Sequence, residues 1–569
     1  MNNWREKLMR YDITFFCSLY FQLLLFSIYS IAVISFFTGN SISSFYFPIA
    51  LIICNVIFFY QVRKKVRLST AILLLIFVNL ILAIAFLISI NFIDTSYDGQ
   101  WYHQPAIIKL AEGWNPFYDP FYTINHYEQN NYLWIQHYSK ASWIMAACIY
   151  KTTGLIESGK LINFIAIAAV FFYAYSFFVK LFKEKIFIAF FFSLLISLNP
   201  VATSQLLSDY NDGILCNMQC VLLLSLFDMQ LFHNRQFIKW KWFVLLSAII
   251  IAANLKFSGL FISGIIVVIF SFYWWWKKES PKIIFRRYAL IGITAIFAIA
   301  LYGFNPYGTN SLYKGYIFYP LNVKEDYHVL IGREPDAIKD KNNIEKFFIS
   351  IFSSASNDPR IKEINWKNPI QVTRHDLRIF EETDVKIGGF GPLFLLGLLL
   401  SFLLGAFFFG ELKKEHKVLF IVSFSAIFLS AILVPSAWKT RYVSHFFLLP
   451  VLICVFSFYL YGDKKNSIKK YLSIGLLIIL TLNFLLIAKS NISANLYRTR
   501  LIKDEINTLK LRKDKLMMNF SKAKFQVVRT RLNEAGVHFT ESDTLTTNVQ
   551  EFRVLYDLNG FGPMYNKTN

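Results

Sequence analysis

The feature that most constrains this chain is a succession of uninterrupted apolar runs, each about the length of a bilayer crossing. A backbone that meets lipid must satisfy its own hydrogen bonds, so each run is expected to be a helix. Thirteen candidate spans follow, at about 12–37, 43–61, 69–92, 160–179, 186–200, 213–232, 242–255, 258–276, 288–305, 390–410, 418–435, 443–461 and 471–488. Over the 569 residues 55% are hydrophobic, and the mean hydropathy is +0.44. The first apolar run is too long for a cleaved signal peptide.

The net charge of +22 would suggest nucleic acid in a soluble protein. Here the basic residues sit in short clusters between apolar runs, which is how orientation is encoded in membranes. With Arg5, Lys7 and Arg10 inside, the inner loops carry Arg63–Arg67, Lys180–Lys185, Arg235–Lys241, Lys277–Arg287, Lys413–Lys417 and Lys464–Lys470. The short outer connections hold few cations: Lys256, and Lys439 with Arg441. Counting 141–150 as a further span would invert every later loop, so about 136–153 is read as a helix along the outer interface. The fold class is an all-α polytopic membrane protein with outer interfacial helices and a small α+β C-terminal extension.

The expected domains are N-terminal spans (1–92), an outer loop with interfacial helices (93–158), central spans (159–303), an outer segment (304–389), C-terminal spans (390–488) and an outer tail (489–569). The tail should open with a Lys-rich helix over about 495–535 and hold strands near Phe525–Val528 and Phe552–Tyr556. The six cysteines show neither metal-ligand spacing nor a disulfide framework. There is no Walker loop, HExxH, GxSxG or GxGxxG with a following carboxylate, which weakens nucleotide-driven transport, nucleotide-sugar transfer and proteolysis.

Chemistry-bearing residues gather on the outer face. Asp94 and Asp98 lie just past a span, with Tyr102 and His103 beside them, ahead of a short amphipathic helix at 104–112. A partly desolvated carboxylate there suits a general base, or else caps the helix. Asp209 and Asp212 sit at the start of another span, where Asp212 suits an N-cap equally well. Lys256, Arg441 and Tyr442 are at outer span ends. Arg suits a phosphate, although an edge cation can simply snorkel.

In this order and spacing the residues resemble the GT-C glycosyltransferases, in the branch of the aminoarabinose transferase and the protein O-mannosyltransferases. The resemblance covers about 90–260 and 435–450. It rests on Asp98, Tyr102 and the run Leu110–Pro116, on His137–Trp143 before Thr152-Thr153-Gly154, on Leu198-Asn199-Pro200, on Tyr210-Asn211-Asp212, on Lys256, and on Arg441-Tyr442. Residues 305–310 and 318–320 also resemble a bacterial polysaccharide-type subgroup. The chain departs from the branch in having two extra spans before the loop, His103 in place of a small residue, and no Arg near the first-loop acid.

The resemblance implies a polyprenyl-phosphate-linked sugar as donor and a glycan, lipid or protein acceptor met on the outer side. It implies inverting transfer with Asp98 as base and Asp94 as its rival, and no obligatory cofactor, nucleotide or metal, a divalent ion being still compatible. Arg441 and Lys256 would meet the leaving phosphate. Asp212, His103 and His137 would hold sugar hydroxyls or the base, and Trp101, Tyr102 and Trp438 would stack on sugar faces. Lys140, Asp209 and Tyr442 complete the candidate binding set. The competing classes are a transporter or flippase of lipid-linked sugars and a glycan polymerase or ligase. The Phe-, Ile- and Lys-rich usage points to a bacterial cytoplasmic membrane.

Overall fold

The computed structural model describes residues 2–119, 131–183, 185–232, 237–321, 334–462, 467–521, 523–545, 549–552 and 562–566. Arg235, Lys464 and the run 553–556 lie outside them. Among the described residues, 11 helices are long and apolar enough to cross a membrane. Two further expected spans form shorter helices. Ile186–Ser197 has 12 residues, because Asn199 accepts the Ala202 N–H at 3.0 Å and Pro200 starts a separate helix, Pro200–Ser204. Phe394–Phe409 has 16 residues and begins only after Gly391, which holds a positive φ of 113°, and Pro392.

The helices sort by burial. Asp212–Leu231 and Thr440–Tyr461 are 89% buried over their apolar windows, whereas Tyr46–Arg63, Leu68–Asn91 and Pro281–Tyr302 are 22% buried. The first two therefore form the centre of the bundle, and the other three present apolar side chains outward, as lipid contact requires. At one end the helices carry basic residues that meet the few acids there, Lys65 with Asp12 at 3.4 Å and Lys241 with Asp228 at 2.7 Å. The opposite end gathers the C-terminus of Leu68–Asn91, the N-terminus of Asp212–Leu231, the turn at Lys256 and the start of Thr440–Phe447.

Residues 141–153 form a helix as expected, Ala141–Thr153. At 13 residues it measures about 20 Å, too short to span. It does not lie open along the outer interface, however. Every residue from Ala141 to Ile149 is buried, packed against the helices Gln104–Ala111 and Asn2–Phe37.

The last span does not stop near 488. Ile468–Lys510 is one helix of 43 residues, because Asn491, Asn495, Thr499, Ile502, Ile506 and Leu509 continue a buried stripe at helical spacing. It ends at Lys510 rather than near 535. Beyond it lies a four-stranded sheet of order β2-β1-β4-β3, with β1 Met517–Asn519, β2 Thr540–Glu541, β3 Val549–Glu551 and β4 Met564–Asn566. The strand expected at 525–528 instead opens a helix, Val527–Glu534. Val527, Val528, Arg531 and Leu532 are its buried residues, and spacings of i, i+1, i+4, i+5 are helical.

Candidate functional site

The site is built outward from Asp94. Its carboxylate is buried and fully engaged: Oδ1 accepts the Ser96 N–H at 2.8 Å and the Ser96 hydroxyl at 2.6 Å, and Oδ2 accepts the Asp209 N–H at 2.8 Å. This ties the loop after Leu68–Asn91 to the loop before Asp212–Leu231. Gly99 makes the fold possible, since a Cβ there would fall inside contact distance of the Asp94 carboxylate and the Ser96 hydroxyl. The chain then turns through a π-helical segment, Gly99–His103, into the helix Gln104–Ala111.

Asp98 makes no cap. Its Oδ2 accepts from Arg441 Nη1 at 2.9 Å and, at 3.4 Å, from the Tyr102 hydroxyl. Its N–H donates to the Tyr210 hydroxyl at 3.3 Å. On its other side the Arg441 guanidinium faces Asp384, Nε to Oδ1 at 3.4 Å. Asp212 is the first helical residue, not the N-cap. Its carboxylate pairs with Lys256 and accepts from Gln205 Nε2 at 3.3 Å. Lys256 is a single extended residue between Ile238–Leu255 and Phe257–Trp276. The turn needs Gly259, whose missing Cβ leaves room for the Ala252 carbonyl.

Three cations surround one ring. Lys256 Nζ lies 4.4 Å, Lys439 Nζ 5.1 Å and Arg441 Cζ 5.5 Å from the Tyr442 ring centroid. Arg441 opens one of the two most buried spans, and Lys256 pairs with Asp212 at the start of the other, so charge interactions here are stronger than in bulk water.

Burial raises the pKa of a carboxyl and a nearby cation lowers it. Burial works against the charged form of Asp98, but Arg441 foremost outweighs it and holds the carboxyl below its usual range. Asp94 and Asp209 go the other way. Burial pushes both up, and Asp209 further because Asp94 is its neighbour. Burial brings the His103 imidazole down to about 3, so it is neutral at ordinary pH; its Nδ1 accepts the Trp143 Nε1–H at 2.6 Å.

Of the residues singled out from sequence, Asp98, Tyr102, Asp212, Lys256, Arg441 and Tyr442 therefore converge, with His103 against the Tyr102 ring at 4.3 Å. Asp94 and Asp209 lie beneath them in the loop framework. His137 is turned to Asn310, Nδ1 to Oδ1 at 2.8 Å. Lys140 donates to the carbonyls of Gln136 at 3.0 Å and Tyr138 at 2.7 Å, closing the end of the helix Tyr132–His137. Trp438 is 0% exposed and packs with Ile338 and Ile387, so its ring offers no open face to a sugar. Asp384, Tyr97, Gln100, Glu157 and Arg531 belong to the site or its support, and nothing in their local sequence marks them. Among the described residues no group of three or more His, Cys, Asp or Glu is placed to hold a metal ion.

No protein-family model matches the chain, and no curated protein matches it. Among solved structures it is similar to one described as the crystal structure of ArnT from Cupriavidus metallidurans bound to undecaprenyl phosphate. The identity is 10% and the TM-score 0.44, over 82% of this chain and 85% of that one.

Proposed function

We propose that this many-spanning membrane protein is a glycosyltransferase that moves a sugar from a polyprenyl-phosphate donor to an acceptor hydroxyl. One observation carries the reading: the Asp98 carboxyl lies in direct contact with Arg441, which belongs to a group of three cations around Tyr442. That pairing supplies a proton acceptor beside a bay for an anionic leaving group.

In the proposed step the acceptor oxygen attacks the anomeric carbon from the face opposite the phosphate. The bond from that carbon to the phosphate oxygen breaks, and its electron pair leaves with the polyprenyl phosphate. The acceptor proton passes to Asp98, and the configuration inverts. A positioned base of this kind contributes roughly 10²- to 10⁴-fold. Arg441, Lys256 and Lys439 meet the charge that develops on the phosphate, in a site where fixed charges act strongly.

The ion pair adds a sequence of events. Arg441 is shared between Asp98 and Asp384. A phosphate entering the bay competes for the guanidinium and weakens its hold on Asp98. The carboxylate then becomes a stronger base once the donor is in place, because an opposite charge beside it is what lowers its pKa. The basic clusters at the other end of the bundle favour a cytoplasmic location for that end, so the site faces outward from a bacterial cytoplasmic membrane.

The test is transfer from a radiolabelled polyprenyl-phosphate sugar by the purified protein in lipid nanodiscs. Labelled product from the wild type and loss of it in Asp98→Asn is the expected result. Transfer by Asp98→Asn at the wild-type rate would remove Asp98 from the role of base. Movement of the labelled lipid across sealed vesicles without any transfer would make the protein a transporter.

A further inference from the structure

A buried arginine of the C-terminal domain reaches into the site. Arg531 lies on the helix Val527–Glu534 and is 5% exposed. Its Nε donates to Glu157 Oε1 at 2.9 Å, Nη1 to Gln100 Oε1 at 2.7 Å, and Nη2 to both the Asp94 carbonyl and Gln104 Oε1 at 2.8 Å. Glu157 in turn accepts the Asp94 N–H at 3.0 Å and pairs with Lys160. The Asp94 residue is thus gripped at both its backbone N–H and its carbonyl.

These contacts bracket Asp98. Asp94 is four residues before it, Gln100 two residues after, and Gln104 opens the helix that follows. We infer that Arg531 is a positioning residue: it fixes the loop 94–104 so that the Asp98 carboxylate points at Arg441. A planar fork with five N–H donors can serve four acceptors on three segments at once, which a lysine ammonium cannot. Docking of the domain has other supports. Glu534 Oε1 accepts the Ile156 N–H at 2.8 Å, and Lys524 contacts the Tyr97 hydroxyl. The Arg531 contacts therefore act on the loop in addition to joining the two parts.

The kinetic consequence rests on the glycosyl-transfer reading, and the loop placement does not, so the experiment has two arms on the full chain. In the first, hydrogen exchange of the loop peptide 94–104 is compared between wild type, Arg531→Met and Arg531→Lys. Positioning predicts faster exchange in both variants, with the spanning helices unchanged. In the second, transfer is measured at saturating acceptor. Arg531→Met is expected to lower kcat by about 100-fold, the loss that a displacement of about 1 Å produces, while KM for the lipid donor stays near the wild-type value because the three cations are untouched. Arg531→Lys keeps the charge beside Glu157 and should recover melting temperature without recovering kcat. The acid limb of the rate profile should move to higher pH in both, as Asp98 loses its fixed approach to Arg441.

Wild-type kcat and loop exchange in Arg531→Met would overturn the inference, as would full recovery of kcat in Arg531→Lys. If Arg531→Met fails to fold, Gln100→Leu takes its place and removes one acceptor from the loop. A several-fold fall in kcat with faster exchange of 94–104 supports the inference, and no change in either overturns it. If the wild type transfers no sugar, the functional reading fails and the exchange arm alone decides the role of Arg531.

Discussion

Arg441 Nη1 lies 2.9 Å from Asp98 Oδ2, although the two residues are 343 positions apart in the chain. The contact joins the loop after the third long helix to the start of one of the most buried spans. It places a base and an anion-binding cation within one hydrogen bond of each other, and it sets the terms for the variants that follow.

Asp98 and Asp94 should separate cleanly by substitution. Asp98→Asn is isosteric and removes only the charge, so transfer should fall by roughly 10²- to 10⁴-fold, and the melting temperature should fall as well because Arg441 loses a charged partner. Asp94→Asn turns an amide NH2 toward the Asp209 N–H or the Ser96 donors. That leaves a buried donor unmatched, so it should cost about 1–3 kcal/mol of stability. Thermal melts and transfer rates on the two proteins, side by side, check both statements.

Arg441→Lys keeps a positive charge but cannot face Asp98 and Asp384 at once. An ammonium also cannot give the donor phosphate the two parallel hydrogen bonds of a guanidinium, and losing one hydrogen bond between charged groups costs about 1.5–3 kcal/mol. The donor KM should therefore rise by roughly 10- to 100-fold, read from transfer rates against lipid-donor concentration. An unchanged KM would place the phosphate elsewhere.

Gly99→Ala tests the loop by volume alone. The added methyl meets the Asp94 carboxylate and the Ser96 hydroxyl, so the loop must shift. Overpacking of this kind costs about 1–3 kcal/mol, and the displaced Asp98 should lower kcat. A variant with wild-type melting and rate would show that the loop relaxes freely.

Glu534 predicts a pH dependence of domain docking. Burial raises its carboxyl from 4.5 to about 7. A raised acid holds its proton in the folded state over a range where the unfolded chain has released it. Its contribution is therefore full below 4.5 and is lost as pH rises to about 7. Exchange of the helix Val527–Glu534 should be slower at about pH 5 than at about pH 8 once corrected for intrinsic rates, and Glu534→Gln should flatten that difference. An equal slope in both proteins would assign the pH dependence to other groups.

The sequence determined the membrane-spanning character by itself, because an apolar run of bilayer length has one low-energy solution for its backbone. It also ordered Asp98, Asp212, Lys256 and Arg441 at span ends on one face, since alternating spans and basic clusters fix which ends come together. Short-range signals failed where packing decided. The helix Ala141–Thr153 is apolar enough to suggest a surface in lipid, yet protein covers it. The residues Phe525–Val528 are rich in β-formers, yet lead into a helix that starts at Val527 and buries one side.

Only the tertiary structure decided how the site is wired. That Asp94 is a strut and Asp98 an ion-pair partner depends on Asp209 and Arg441, which lie more than a hundred residues away. That Asp384 shares Arg441, and that Arg531 of the last domain grips the loop around Asp98, leaves no trace in local sequence. Hydrophobic periodicity reports which face of a helix is buried, whereas the partner of a buried charge is set by whichever distant segment the fold brings within about 3 Å of it.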